Sequence, residues 1–331
     1  MTETSLVELA KNSAIELHKD EASQMQPKIV MDRSAFTGIA GRFVDSMEPV
    51  TEADRVALLG HYLAYFGSCL GRNVWAMADG HKHHANLYVA LVGDTSKGRK
   101  GTARRRTEQV FRGAFPAFTD QNIVNGLSSG EGLIYRLRDA DPDYDTDDPK
   151  AKGDAGVSDK RLLVVEEELS SPLRRMKIHG NTLSPVLRSG WDSDTLQTLI
   201  KNDPNVATGA HVSVIGHGVQ EEIVEEVDQI SARNGLANRF LFLWSERSKF
   251  LPRGRQAPHN MDQLVTDLQN ALSGAEQVYG GYPIDFDESA GRIWDLVYET
   301  LSGGGIGFIG RLTSRAEAIV LRLSLIYAAM D

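Results

Sequence analysis

A glycine-rich segment, GDTSKGRKGT, lies between an apolar run and a helix-like stretch and spans Gly93 to Thr102. A loop that holds phosphate needs glycines so that consecutive backbone N–H groups can point into one concavity. It also needs a lysine to neutralise phosphate charge and a Ser or Thr hydroxyl for Mg²⁺. Gly93 and Gly98 have the G-x-x-x-x-G spacing of such a loop. The segment therefore predicts a site for a nucleotide and Mg²⁺, although a plain basic turn is the alternative.

The lysine of this segment is offset from its usual place. A lysine normally follows the second glycine directly, but here Arg99 does. We assign the lysine role to Lys100 and the Mg²⁺ hydroxyl to Thr102, with Lys97 as the alternative lysine. The other residues expected to bind the nucleotide are Gly93, Thr95, Ser96, Gly98, Arg99 and Gly101.

Three consecutive glutamates end a second apolar run, LLVVEEEL. Such a buried strand can deliver one carboxylate to Mg²⁺ and another to the attacking water. Side chains alternate along a strand, so Glu166 and Glu168 share a face and Glu167 points the other way. We assign Glu166 to the metal and Glu167 to the water, with Glu168 as the rival. The alternative is an acidic helix N-terminus that favours the helix dipole.

Two further strand-like runs end or begin with polar residues. His217 ends HVSVIGH, where it could sense a γ-phosphate from a neighbouring strand or be a satisfied structural histidine. Arg239 opens RFLFLW, where it could reach the nucleotide of a neighbouring subunit or form a strand-end salt bridge. Arg233 competes with Arg239 for the first of these roles.

The segment LQTLIKNDPNVATGAH predicts a hairpin that projects from the sheet. Leu196 to Lys201 is typical of a strand, and Asn202 to Asn205 of a tight turn before the return from Val206. Lys201 lies near the predicted tip, where we expect it to contact single-stranded DNA.

Three other features are interpreted as structural. The histidines of HKHH lack metal-ligand partners at suitable spacing and are expected in a solvated loop. Arg104 to Arg106 fan around a helix and cannot all face phosphate. Trp191 and Asp192 are expected to pack and to cap.

The elements that must position these residues alternate between strand and helix. Strand-like runs at 87–92, 122–126, 162–165, 211–215 and 239–244 are separated by helix-like segments such as 101–113 and 130–138. This alternation predicts an α/β fold with a parallel sheet covered by helices. Thr51 and Asp54 are interpreted as a capping box that begins a helix reaching Leu70.

These patterns suggest three regions. Residues 1–80 are expected to form an N-terminal helical leader and 81–257 the core, which includes a flexible acidic loop at 139–160. Residues 258–331 are expected to form a C-terminal helical region, through helices near 259–273, 286–301 and 311–330. The last of these stops without a polar cap, which suggests a truncated chain.

Composition narrows the class of protein. Cys69 is the single cysteine, which fits a reducing cytosol, and no apolar run approaches the ~18 residues of a membrane span. We therefore expect a cytoplasmic protein with no membrane partner. The formal charge is −9, so DNA contact would need a local basic patch.

The order of these parts resembles a family of helicase-like ATPase domains, formally of unknown function, found in phage, plasmid and prophage primase–helicase proteins. It is related to the viral superfamily-three and plasmid hexameric helicases. The resemblance covers Phe36 to Asp331 and rests on TSKGRKGT, NGLSSGEGLI, LLVVEEEL, GNTLSPVLRSGWDSDTL and NGLANRF. It implies a P-loop NTPase core of the AAA+ or RecA-like kind, ATP with Mg²⁺, a hexameric ring, and a role in replicating mobile DNA.

Two functions remain open at this point. The first is a DNA-stimulated ATPase of the helicase or translocase type, with a primase as a further partner because no priming motif occurs in this chain. The second is a nucleotide-binding scaffold or switch whose offset loop hydrolyses little ATP.

Overall fold

The computed structural model describes residues 30–94, 97–142, 144, 153–198, 205–254, 257–303, 305 and 307–331, without the side chains of 228–233. The chain divides into two units, Met1–Arg33 and Ser34–Asp331. The fold below is that of the second unit. The residues of the predicted leader before 30 lie outside the described residues. The predicted boundaries near residues 80 and 257 stay predictions.

The second unit alternates strands and helices along its central part. The strands are β1 (Trp75–Ala78), β2 (His81–His84), β3 (Tyr88–Gly93), β4 (Ile123–Val124), β5 (Arg161–Glu166), β6 (Leu196–Gln197), β7 (Val206–Ala207), β8 (His211–Val219), β9 (Phe240–Trp244) and β10 (Pro283–Ile284). The helices are α1 (Gly38–Met47), α2 (Arg55–Leu70), α3 (Lys100–Ala114), α4 (Pro116–Gln121), α5 (Gly130–Arg136), α6 (Ser170–Met176), α7 (Leu183–Asp192), α8 (Gln220–Asn234), α9 (Met261–Tyr279), α10 (Glu288–Ser302), α11 (Gly307–Leu312) and α12 (Ala316–Ala328).

Five strands form one parallel sheet in the order β4-β5-β8-β3-β9. The prediction of a parallel α/β sheet is confirmed, and the fold is compatible with a P-loop NTPase. β8 lies between β5 and β3, with Glu166 paired to Gly216 and Leu91 paired to His217. The carboxyl ends of all five strands therefore meet at one edge of the sheet.

Helix α2 covers one face of this sheet and contacts four of its strands. It is buried from Ala57 to Leu70, because α3 and α9 pack over its other side. At Gly60 an added Cβ would lie 2.6 Å from Leu243, so this glycine lets helix and sheet approach closely. The opposite face packs against α7 and α8 around buried residues such as Tyr88 and Val214.

Two predictions about the segment around this helix are wrong. Helix α2 is capped by Asp54, whose carboxylate accepts from Val56 N at 2.7 Å, and Thr51 lies before it in an extended conformation. The Thr51 hydroxyl accepts from Ala53 N at 3.2 Å, so it is bound in a turn that precedes the helix. The HKHH segment is β2, paired antiparallel with β1, and the ammonium of Lys82 lies 4.0 Å from the Trp75 ring centroid.

The predicted hairpin after α7 is confirmed in its described part. β6 pairs antiparallel with β7, with Leu196 opposite Ala207. Its tip, residues 199–204, lies outside the described residues, and so does Lys201. Within the described ranges, no helix is long and apolar enough to cross a membrane.

Candidate nucleotide site

The phosphate-type loop leaves the sheet at the carboxyl end of β3. An added Cβ at Gly93 would lie 2.3 Å from the Ser245 carbonyl oxygen, so only glycine fits where β3 and β9 end side by side. Ser245 N donates to Val92 O at 2.8 Å and fixes that approach. Thr95 and Ser96 lie outside the described residues. The loop therefore starts at a backbone position that is closely determined.

Lys100 is the first residue of α3 and is 6% exposed. Its ammonium lies 3.4 Å from the position a Cβ would take at Gly93, so the side chain folds back over the end of β3. Burial lowers the pKa of Lys100, and the nearby Asp94 opposes that effect. Lys97, in contrast, is exposed on the loop. A buried cation over the strand end is suited to meet an anion that enters at the start of the helix.

Arg99 takes a left-handed conformation, with φ 58°, directly before Lys100. Glycine adopts this conformation readily, whereas it costs another residue roughly 1–2 kcal/mol. Arg99 thus occupies the place that a glycine has directly before the lysine in the usual loop. Its side chain is held by Glu52, whose Oε2 accepts from Arg99 Nε at 2.7 Å. Gly98 is buried, and an added Cβ at Gly101 would meet nothing within 4 Å.

The three glutamates at the end of β5 have different surroundings. Glu166 is buried, and its Oε1 accepts from Gly126 N and Leu127 N, each at 2.7 Å. Those two amides belong to the NGLSSGEG segment, which explains why that segment accompanies the acidic strand. The two following glutamates are exposed and form separate ion pairs.

Glu167 is paired with the helix that carries Lys100. Its Oε1 lies 3.1 Å from Arg104 Nη1, and its side chain is 64% exposed. Arg104 follows Lys100 by four residues and so lies on the same helix face. Glu168 instead pairs with Arg174 at 2.8 Å, on α6. The structure therefore brings Glu167, and not Glu168, next to the face of α3 that bears the lysine.

Thr102 lies in the first turn of α3 and is half-buried. Its hydroxyl, the Glu166 carboxylate and the Glu167 carboxylate are oxygen donors of the kind Mg²⁺ prefers. Mg²⁺ at nucleotide sites takes few protein ligands and completes its shell with phosphates and water. The described residues hold no group of three or more His, Cys, Asp and Glu side chains that could bind a metal.

His217 lies on β8, between the loop strand and the acidic strand. Its Nε2 is 2.9 Å from Nε2 of His61, which comes from α2. Burial lowers the pKa of His217 well below its ordinary value, and the neighbouring His61, Lys100 and Arg104 add to the effect. His217 is therefore neutral, although it lies close to the lysine.

Arg239 precedes β9 in a short 3-10 helix and is buried. Its guanidinium donates to the Gly235 carbonyl and pairs with Asp192, and it lies 5.7 Å from the Trp191 ring centroid. Asp192 also accepts from Arg315 Nη1 at 3.1 Å. In this single chain the arginine is thus bound within its own subunit.

The predicted site residues lie in two separate parts of the structure. The loop, Glu166, Glu167 and His217 lie at the carboxyl edge of the sheet, whereas Arg239 is held by α7. Arg104 and Arg106 diverge as predicted, since Arg106 Nη2 donates to Val50 O at 3.1 Å. The side chain of Arg233 and the position of Lys201 are outside the described residues.

Sequence reasoning missed two side chains of this site, His61 and Glu52. Their contacts join distant parts of the chain, since His61 is 156 residues from His217 and Glu52 is 47 residues from Arg99. A lone histidine in an otherwise apolar helix was the available signal for His61. For Glu52 the sequence carries no comparable signal.

No protein-family model matches the chain, and no curated protein matches it. Among solved structures, one described as "SCCmec type IV Cch - active helicase" superimposes with a TM-score of 0.40 at 10% identity, covering 93% of this chain. The match covers 51% of that helicase, so this chain spans about half its length.

Proposed function

We propose that this chain is an ATP-hydrolysing motor module of the DNA helicase or translocase type. The observation that carries the proposal is the placement of Lys100, folded over the end of β3 at one sheet edge with the carboxylates of β5. An anion-binding lysine beside carboxylates that can serve a metal and a water is the arrangement that phosphoryl transfer to water requires.

The donor set fits ATP with Mg²⁺. Lys100 and the first amides of α3 would bind the terminal phosphates, and Thr102 with Glu166 would hold the metal. The bound Mg²⁺ would neutralise charge that develops on the transferred phosphoryl group. The buried position of Lys100 strengthens its interaction with phosphate because water screens it less.

Glu167 would orient the attacking water. Its carboxylate pairs with Arg104 in this structure. For turnover, the carboxylate would have to accept from the water as well as from Arg104, or break the ion pair. Glu168 remains the rival for this role, but its contact with Arg174 directs it towards α6. His217 would sense the γ-phosphate. Its ring is neutral and donates its one N–H to His61, so its other nitrogen can only accept, and we expect the contact with phosphate to be made through a bridging water.

We further propose that the working form is a ring, with hexamers as the expected state and Arg239 acting on the neighbouring nucleotide. Arg239 would then exchange Asp192 for phosphate when subunits assemble. The hairpin that carries Lys201 would bring one copy of that lysine from each subunit to single-stranded DNA. Such a local concentration of positive charge is needed because the chain as a whole, at −9, repels the DNA phosphates. Replication of mobile genetic elements in the cytoplasm, with a primase as partner, is the setting we propose.

A second function is favoured by specific contacts. Glu166 is bound by two amides, Glu167 by Arg104 and Arg239 by Asp192, so each proposed catalytic group already has a partner. A nucleotide-binding scaffold or switch with little hydrolysis would keep these contacts throughout.

Single-turnover mixing distinguishes the two functions. Enzyme in excess over ATP and Mg²⁺ is sampled for bound nucleotide and for released phosphate. A motor converts the bound ATP to ADP and phosphate within seconds to minutes, whereas a scaffold retains it intact. A chain that binds no ATP at all contradicts both functions.

A further inference from the structure

The segment that follows β9 presents an aromatic side chain to solvent. Phe250 is 79% exposed and belongs to a segment with several exposed residues, among them Ser248 and Pro252. One side of its ring is occupied by the guanidinium of Arg247, whose Cζ lies 4.6 Å from the ring centroid. The exposure of Phe250 leaves room for a second planar group on the ring.

This aromatic ring is linked to the phosphate-type loop by one carboxylate. Glu52 Oε2 accepts from Arg247 Nη2 at 2.8 Å and from Arg99 Nε at 2.7 Å. Arg99 is the left-handed residue that precedes Lys100. Two ion pairs and one ring contact therefore connect the loop to Phe250 through one continuous set of side chains.

The backbone that carries Phe250 is fixed by the same segment. Leu251 N donates to Glu52 Oε1 at 2.7 Å, and Ser248 donates to the Glu52 carbonyl through both its N and its Oγ, each at 3.1 Å. Val50 O is in turn bound by Arg106 of α3. The residues on both sides of Phe250 are thus held by hydrogen bonds, which lowers the entropy cost of ordering this segment when a ligand stacks on the ring.

We propose that Phe250 and Arg247 form a stacking platform for the base of the nucleotide whose phosphates bind at Lys100. This inference rests on the proposed function and adds the part of the site that binds the nucleoside. Bases stack on aromatic faces whatever their identity, because each has a π face. Arg247 and Arg99 share one carboxylate, so the platform also keeps a positive charge suited to a phosphorylated ligand.

The platform has a specific consequence for selectivity. Stacking without hydrogen bonds to the base edge discriminates poorly between bases, so ATP and GTP should bind with similar affinity. Tripolyphosphate, which has the same phosphates and no base, should bind to the loop without using Phe250.

Calorimetric titration of the full chain with Mg²⁺ and either ATP or tripolyphosphate tests the platform. Phe250→Ala should weaken ATP about tenfold or more, within the range measured for loss of base stacking, and leave tripolyphosphate unchanged. Phe250→Trp should restore ATP binding. Tyr282→Ala, at another largely exposed aromatic side chain, is the matched control and should change neither affinity.

Other outcomes contradict the inference in different ways. Equal ATP affinity for Phe250→Ala and the unmodified chain overturns the platform while leaving the proposed function intact. A change in sedimentation of Phe250→Ala with unchanged ATP affinity assigns the ring to a contact between copies of the chain and also overturns it. If the unmodified chain binds neither ATP nor tripolyphosphate, the proposed function fails and the platform fails with it.

Discussion

His61 and His217 share a hydrogen bond between their Nε2 atoms, 2.9 Å apart, in the interior next to the candidate nucleotide site. Nδ1 of His61 lies 2.7 Å from the Ala57 carbonyl oxygen, which can only accept, so that nitrogen carries the proton. Nε2 of a neutral His61 is therefore the acceptor, and His217 donates to it. Nδ1 of His217 is left unprotonated, ready to accept from a water molecule.

The pair makes stability depend on pH. Burial lowers the pKa of His61 from 6.5 to about 4, so between these values the unfolded chain binds more protons than the folded one. The free energy of unfolding should therefore fall as pH falls through this window. His61 alone should contribute about 2 kcal/mol to the difference between about pH 7 and about pH 5.

Urea unfolding at the two pH values measures this contribution. His61→Asn should reduce the pH-dependent difference, and the same change at the exposed His179 provides the control. An unchanged difference in His61→Asn would mean that the buried imidazole is not a source of the pH dependence.

Lys100→Ala should weaken nucleotide binding by at least about 100-fold. A lysine on terminal phosphates makes charge-assisted hydrogen bonds worth ~1.5–3 kcal/mol each, and Lys100 folds towards the place where they would bind. Lys97→Ala should have a milder effect. Titration with a fluorescent ATP analogue measures both variants, and the reverse order would assign the lysine role to Lys97.

Glu167→Gln should bind ATP but turn it over at least ~10²-fold more slowly, a barrier increase of roughly 3 kcal/mol. The amide keeps the shape of the side chain but cannot accept a proton from the attacking water. Glu168→Gln, at the neighbouring glutamate that pairs with Arg174, is the matched control. Single-turnover phosphate release measures both variants. If Glu168→Gln binds ATP without hydrolysing it while Glu167→Gln stays active, the roles of the two glutamates must be exchanged.

Arg239→Ala should lower turnover by ~10³-fold or more if the arginine acts on a neighbouring subunit. The control is Arg315→Ala, which removes the other arginine on Asp192 and should have a much smaller effect. Mixing Arg239→Ala with Glu167→Gln subunits should restore part of the activity, because some interfaces then combine two intact halves. No recovery in rings shown to exchange subunits would indicate that Arg239 acts within its own chain.

Much of the fold was predictable because its strands are short apolar runs bounded by glycine, polar residues or turns. β3, β5, β8 and β9 all begin within one residue of their predicted starts. The start of α2 and the strand His81–His84 were missed for different reasons. Asp54 competes with Thr51 as a cap, and β2 is stabilised by its pairing with β1, which local sequence does not encode.

The site was only partly predictable, because its contacts join distant segments. Gly93 and Glu166 each end a strand-like run in the sequence, and Lys100 follows Gly93 in the loop. Because parallel strands end at the same edge of a sheet, this pattern indicates that the three residues share one site. The partners of those residues follow no local pattern. His61 meets His217 across 156 residues, and Glu52 meets Arg247 across 195.

The most direct test of the account is steady-state phosphate release from ATP with and without single-stranded DNA. We expect Mg²⁺-dependent release that DNA stimulates, with Lys100→Ala inactive under both conditions. Lys201→Ala should keep the DNA-free rate, lose the stimulation, and flatten the salt dependence of DNA binding, because each phosphate contact contributes ~0.7 to that slope. If the folded chain binds ATP but releases no phosphate under any of these conditions, the motor function is contradicted and the nucleotide-binding scaffold or switch is the function that remains.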